Sequence, residues 1–142
     1  WGRLTVKKSF QISETTIDET IQFVDEFCDS EQISMRDINK LDFIIEELVT
    51  NILSYAELAK SQEFSIELAR DKDEVSIQIR DPGKPFNPHK DLAADDRELD
   101  VKDRAVGGLG WRLIFELCES VVHERDENGN CLTLVRKVTT SS

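Results

Sequence analysis

A chain of 142 residues with 39% hydrophobic and 33% charged side chains carries enough apolar material for one full core, the expectation for a single domain over residues 1–142. Its formal net charge of −11 argues against direct binding to nucleic acid, because phosphate backbones reward cationic surfaces. No apolar run approaches the roughly 20 residues that cross a bilayer, and no signal peptide is visible. Cys28, Cys118 and Cys131 are widely spaced, form no CxxC and support neither a disulfide framework nor a zinc site. The expectation is a cytoplasmic protein, away from membranes, with buried free thiols. The chain opens Trp1-Gly2 without an initiator Met, which suggests either a cloning scar or excision from a longer parent.

Leu4 to Phe10 alternates, with Leu4, Val6, Lys8 and Phe10 on one face, and its lysines suit an edge strand. Thr16-Ile-Asp-Glu19 has the form of a capping box. The helix it opens runs to about Ser30, with Ile17, Ile21, Val24 and Cys28 on one face. Ser34-Met-Arg-Asp37 is a second start signal. Beyond it Leu41, Ile44, Ile45, Leu48, Val49, Ile52 and Ala56 recur at the spacing of one buried helix face. Glu47 and Asn51 stand one turn apart on the shoulder of that stripe, about 100° or more from its centre. A carboxylate and an amide there can reach a cleft beside the core while their helix stays anchored. Glu46 falls on the outer face.

Phe64 to Ala69 and Val75 to Ile79 alternate around the polar turn Arg70-Asp-Lys-Asp73, the pattern of an antiparallel hairpin. Asp81-Pro82-Gly83-Lys84-Pro85-Phe86 breaks the second strand and begins a loop. Asn87 to Val106 is polar and charged, with a short helical turn expected at Leu92 to Leu99; a loop this long is either disordered or a functional lid. Gly107-Gly-Leu-Gly110 then leads into an apolar helix, Trp111 to Glu119. Val121 to Arg125, a turn at Asn128-Gly129, and Cys131 to Val138 read as a second hairpin. The order β-α-α-β-β-loop-α-β-β predicts an α+β fold. Its natural form is a two-layer sandwich of a mixed, largely antiparallel sheet of about five strands with about three helices on one face.

Two short segments carry chemistry beyond the long helix. Glycines at the start of a helix let backbone approach a ligand, and the free N–H groups there attract phosphate, although a flexible turn explains the same run. No Gly-Lys-Ser/Thr follows, so this is not a Walker loop. No parallel βαβ unit surrounds it, so it is not a dinucleotide fingerprint. Asp81, at a strand end, can accept from an exocyclic amino group such as that of adenine. An Asx turn accounts for it equally well.

Together and in this order, Glu47-Leu-Val-Thr-Asn51, Asp81-Pro-Gly83-Lys-Pro85 and Gly107-Gly-Leu-Gly110 resemble the N box and the two glycine boxes of the ATP-binding domain shared by gyrase, histidine kinases and MutL. Closer still, EELVTN, DPGKPFNP, GGLGWRLI and LTLVRK resemble the anti-sigma-factor serine kinases of bacterial partner-switching systems, over nearly the whole chain. The resemblance implies a protein serine/threonine kinase of histidine-kinase-like ATPase fold, using ATP and Mg2+. Glu47 would be the general base and Asn51 the magnesium ligand through its side-chain oxygen. Asp81 would read the adenine amino group, with Gly83 admitting the base. Gly107, Gly108, Leu109 and Gly110 would wrap the phosphates under a lid at Asn87 to Val106, and Lys84 completes the loop beside the nucleotide. Thr133 matches a family hydroxyl near the base, and Arg104 would meet the terminal phosphate.

That chemistry is coherent, since phosphoryl transfer needs positioning and charge neutralisation, and magnesium keeps water and phosphate oxygens around itself. The implied partners are a STAS-type anti-anti-sigma protein as substrate and a sigma factor or analogous regulator, with a homodimer allowed. Tyr55, Trp111 and Lys84-Pro85 depart from the usual pattern, which holds His, an aliphatic residue and a glycine-containing form. Two other readings stay open: a module that holds ATP and sequesters a partner without transfer, and an ATPase domain excised from a larger regulatory protein.

Overall fold

The computed structural model describes residues 4–88 and 109–141. Among these lie β1 (Leu4–Gln11), α1 (Thr16–Ser30), α2 (Met35–Tyr55), β2 (Glu63–Asp71), β3 (Glu74–Asp81), α3 (Leu109–Leu117), β4 (Ser120–Asp126) and β5 (Gly129–Lys137). The expected lid from residue 89 onward, with its helical turn, lies outside the described residues.

The strands form one five-stranded sheet in the order β1-β2-β3-β5-β4. All four pairings are antiparallel, so the sheet is antiparallel throughout the described residues rather than mixed. β1 takes an edge, as its lysines suggest, and Lys7 pairs across the ladder with Glu67, opposite in charge. Alternation turns Phe64, Ile66 and Leu68 of β2, Val75, Ile77 and Ile79 of β3, and Leu132 and Leu134 of β5 into the core. The helices cover that face. This is the two-layer α+β arrangement.

α2 is the spine. All seven apolar positions of its stripe are buried, none more than 8% exposed. Ser34 caps it, its hydroxyl accepting from the Asp37 N–H at 3.3 Å. Its C-terminal end meets the loop after β3, where the Lys84 N–H donates to the Ala56 carbonyl at 3.1 Å. α1 corrects two details of the sequence reading. Thr16 is its first helical residue rather than its cap, and the Thr16 hydroxyl accepts from the Ser13 N–H and donates to the Gln11 carbonyl instead of closing a box with Glu19. Its buried stripe is Thr16, Thr20, Val24, Phe27 and Cys28, with Ile17 and Ile21 only partly covered. Of the three thiols, Cys28 alone is fully buried.

Candidate functional site

Glu47 and Asn51 leave the spine on the same side, as their i, i+4 spacing requires. The Glu47 carboxylate lies against Gly110 in the first turn of α3, so closely that a Cβ there would collide with Glu47 Oε2. Glycine at 110 therefore lets the first turn of α3 seat against Glu47 without displacing its carboxylate. Burial, and after it the charge of neighbouring Glu46, raises the Glu47 pKa above that of an ordinary glutamate. A carboxylate so placed holds a proton more readily than a free one, as a general base must.

One turn further on, Asn51 lines a cleft together with Leu48, Ile52, Tyr55, Asp81 and Lys84. Ile79 and Leu132 supply the sheet wall, with Phe86, Trp111, His123 and Asn130 around them. Trp111 is itself only 2% exposed, so it fills core and offers the cleft one edge. Its ring lies 5.9 Å from those of Phe86 and Phe115. Among the described residues the Asn51 amide makes no hydrogen bond, which leaves its oxygen available to a ligand.

The first glycine loop is held from three sides. Asp81 Oδ1 accepts the Gly83 N–H at 2.9 Å, an Asx turn. A Cβ on Gly83 would stand 2.5 Å from both the Cβ and the carbonyl oxygen of Ala56, so glycine permits the loop to seat on the end of α2. Arg125 of β4 donates to the Gly83 carbonyl at 2.9 Å. Lys84 lines the cleft, and its Nζ pairs at 3.3 Å with Glu57, both side chains being well exposed.

One of the expected residues falls otherwise. Thr133 is not in the cleft: β5 alternation sends Leu132 and Leu134 into the core, so the Thr133 hydroxyl faces the open side of the sheet and accepts from Gln78 at 3.3 Å. Leu109 opens α3. Arg104, Gly107 and Gly108 lie outside the described residues.

Residues 10–136 match the family of the histidine kinase-like ATPase domain. The chain belongs to that family. Among solved structures, a chain of the SiaB–SiaC complex from Pseudomonas aeruginosa is similar at 16% identity, with a TM-score of 0.66, over 94% of this chain and 88% of that one. The catalytic domain of the histidine kinase ThkA is similar at 14% identity, with a TM-score of 0.55, over 96% and 99%. At such identities the likeness is one of fold. No curated protein sequence matches the chain.

An ATPase domain implies ATP binding, and the chemistry of this cleft is compatible with such a ligand. The walls are apolar, as a purine requires, and Asp81 supplies a fixed acceptor at the loop end. Asn130, His123 and Phe86 of the cleft escaped the sequence reading, as did Arg125, which holds the Gly83 loop from behind it. The signal for Asn130 was the Asn128-Gly129 turn, which sets β5 in register so that Asn130 pairs with Asp81 across β3.

Proposed function

We propose that this histidine kinase-like ATPase domain, one domain over residues 1–142, is an ATP-dependent protein serine/threonine kinase domain. It would act as an anti-sigma factor that phosphorylates a STAS-type anti-anti-sigma protein. The observation that carries the reading is the Glu47 carboxylate, its pKa raised, set against Gly110 one turn from a cleft-lining Asn51. Glu47 would take the proton of the attacking hydroxyl, and Asn51 would hold Mg2+ through its side-chain oxygen. The fit of Mg2+ rests on a neutral amide oxygen with no hydrogen bond among the described residues, enough for an ion that keeps mostly water and phosphate ligands. When bound, Mg2+ neutralises charge on the phosphates, which a chain of net charge −11 would otherwise repel. Asp81 accepts from the adenine amino group beside the loop that turns at Gly83. The fold shared with a protein solved in a two-protein complex supports a protein partner.

The test is phosphoryl transfer from ATP to STAS-domain proteins of the same genome, read by intact mass, for the wild type and Glu47→Ala. The expected result is one added phosphoryl group with the wild type, none with Glu47→Ala, and ATP binding by both. Transfer by Glu47→Ala at the wild-type rate would remove Glu47 from the mechanism. ATP binding without transfer to any partner would replace the kinase with a sequestering module.

A further inference from the structure

Asn130 is 7% exposed and makes five polar contacts. Its Oδ1 accepts the Phe86 N–H at 3.3 Å and Arg125 Nη1 at 3.1 Å. Both groups can only donate, so the amide orientation follows from chemistry: oxygen on that side, nitrogen on the other. The same logic makes His123 Nε2, 3.1 Å from Oδ1, a third donor. The Nδ2 group then spends its two protons on the Lys84 carbonyl at 2.8 Å and Asp81 Oδ1 at 3.2 Å. Nothing in the Asn130 amide is left for a nucleotide.

Asp81 Oδ1 receives both this proton and the Gly83 N–H. Among the described residues neither bond uses Oδ2, the oxygen that remains for a ligand. A carboxylate rotates broadly about its last torsion, and one backbone N–H pins it poorly. Two donors converging on one oxygen fix which oxygen is turned to the cleft.

We propose that Asn130 is a positioning residue for recognition of the nucleotide base. It touches no base, but holds Asp81 so that Oδ2 alone meets the 6-amino group, and it ties the 83–86 loop to β4 and β5 through Arg125 and His123. This rests on the reading of the cleft as an ATP site.

The experiment compares ATP with purine riboside 5′-triphosphate, which lacks the 6-amino group, by calorimetric titration. The proteins are the wild type, Asn130→Ala and Asn130→Asp. The last keeps an acceptor for Phe86, Arg125 and His123 but turns a second acceptor on Asp81, so the clamp can fold around it if the alanine variant fails to fold. The wild type should prefer ATP by about 10-fold or more, the worth of a hydrogen bond to a charged group. Either variant should cut that preference to about 3-fold or less. A merely structural role would weaken both nucleotides together and leave the preference unchanged, and that result overturns the proposal. Equal affinity of the wild type for the two nucleotides also overturns it while sparing the ATP site. Binding of neither by the wild type removes the ATP reading, and the proposal with it.

Discussion

Asp37 offers the sharpest test of how the spine is fixed. Its side chain, 8% exposed, accepts Arg136 Nη2 on Oδ1 at 3.0 Å. On Oδ2 it accepts the Ser34 hydroxyl at 2.8 Å, the Thr139 N–H at 2.8 Å and the Thr139 hydroxyl at 2.9 Å. Burial pushes the Asp37 carboxyl up, but the Thr139 N–H, the two hydroxyls and the Arg136 guanidinium outweigh it and hold the pKa at about 2, below the usual 3.8. Since the folded value is the lower one, the stabilisation is complete above about pH 4, where the unfolded carboxyl is ionised. It is lost as the pH falls toward 2. The linkage is worth about 2.5 kcal/mol.

Asp37→Asn removes the charge and strands Arg136, 13% exposed, beside a neutral amide. Stranding a buried charge costs about 3–5 kcal/mol, more than the linkage alone, so it is the larger effect. Urea unfolding at pH 7 should therefore show a loss of about 3 kcal/mol for Asp37→Asn. The loss should hold to about pH 5 and shrink below pH 4 as the wild-type carboxylate takes up its proton. Adding Arg136→Met should recover part of it, because the stranded charge is gone. A loss under about 1 kcal/mol at pH 7, or one unchanged down to pH 3, would refute the reasoning.

Asp42 of α2 faces Asp25 of α1, and each Oδ1 is buried with no donor; burial first, then the hydrogen bond and charge of Asp25, raise the Asp42 pKa well above the carboxylate range. A raised value means stability present below about pH 4 and lost as pH climbs toward neutrality, so Asp42→Asn should raise Tm at pH 8 by several degrees and flatten its pH dependence between 5 and 8. Gly110→Ala pushes a methyl into the Glu47 carboxylate, and single-turnover phosphoryl transfer at saturating ATP should fall at least about 10-fold. Lys84→Ala breaks an exposed pair with Glu57 and should change unfolding free energy by less than about 0.5 kcal/mol. Any fall in ATP affinity in that variant, measured by titration, then belongs to a contact with the nucleotide.

The long helix was legible because seven apolar residues recur at one period and a Ser-x-x-Asp start precedes them; the helix ends where Ala56 caps it. The hairpins were legible through strict alternation. Polar contacts were harder to see. The Thr16 hydroxyl had a choice of backbone partners, and the chain entering α1 offered it Ser13 and Gln11 in place of its own first turn. Gly110 read as the start of a helix and lies in the first turn of α3, but glycine propensity said nothing of the Glu47 carboxylate packed against it. Thr133 was chosen by likeness of residue type. The period of 2 argued otherwise, since Leu132 and Leu134 on either side had to face the core. The same parity puts Asn130 on the cleft side, where a hydroxyl was expected.

The two polar hubs divide the labour of the fold. Ser34, Asp37, Arg136 and Thr139 fix the start of α2 against β5 and the chain beyond it. Arg136 also donates to the Leu117 carbonyl at 2.6 Å, so the end of α3 is tied to the same hub. Asn130, Gly83 and Lys84 fix the far end of α2 to the loop after β3. Glu47 and Asn51 lie between two anchored ends, and Gly110 lies in the first turn of a helix anchored at its finish. Rigid support of this kind holds a reacting group to a fraction of an ångström without using its own polar atoms. The two ends should then fail separately. Loss of Asp37 lowers stability with base preference intact, whereas loss of Asn130 changes base preference at little cost to the core. A variant at Asp37 that altered the preference between ATP and its 6-deamino analogue would mean that the helix transmits strain along its length and is not a rigid spine.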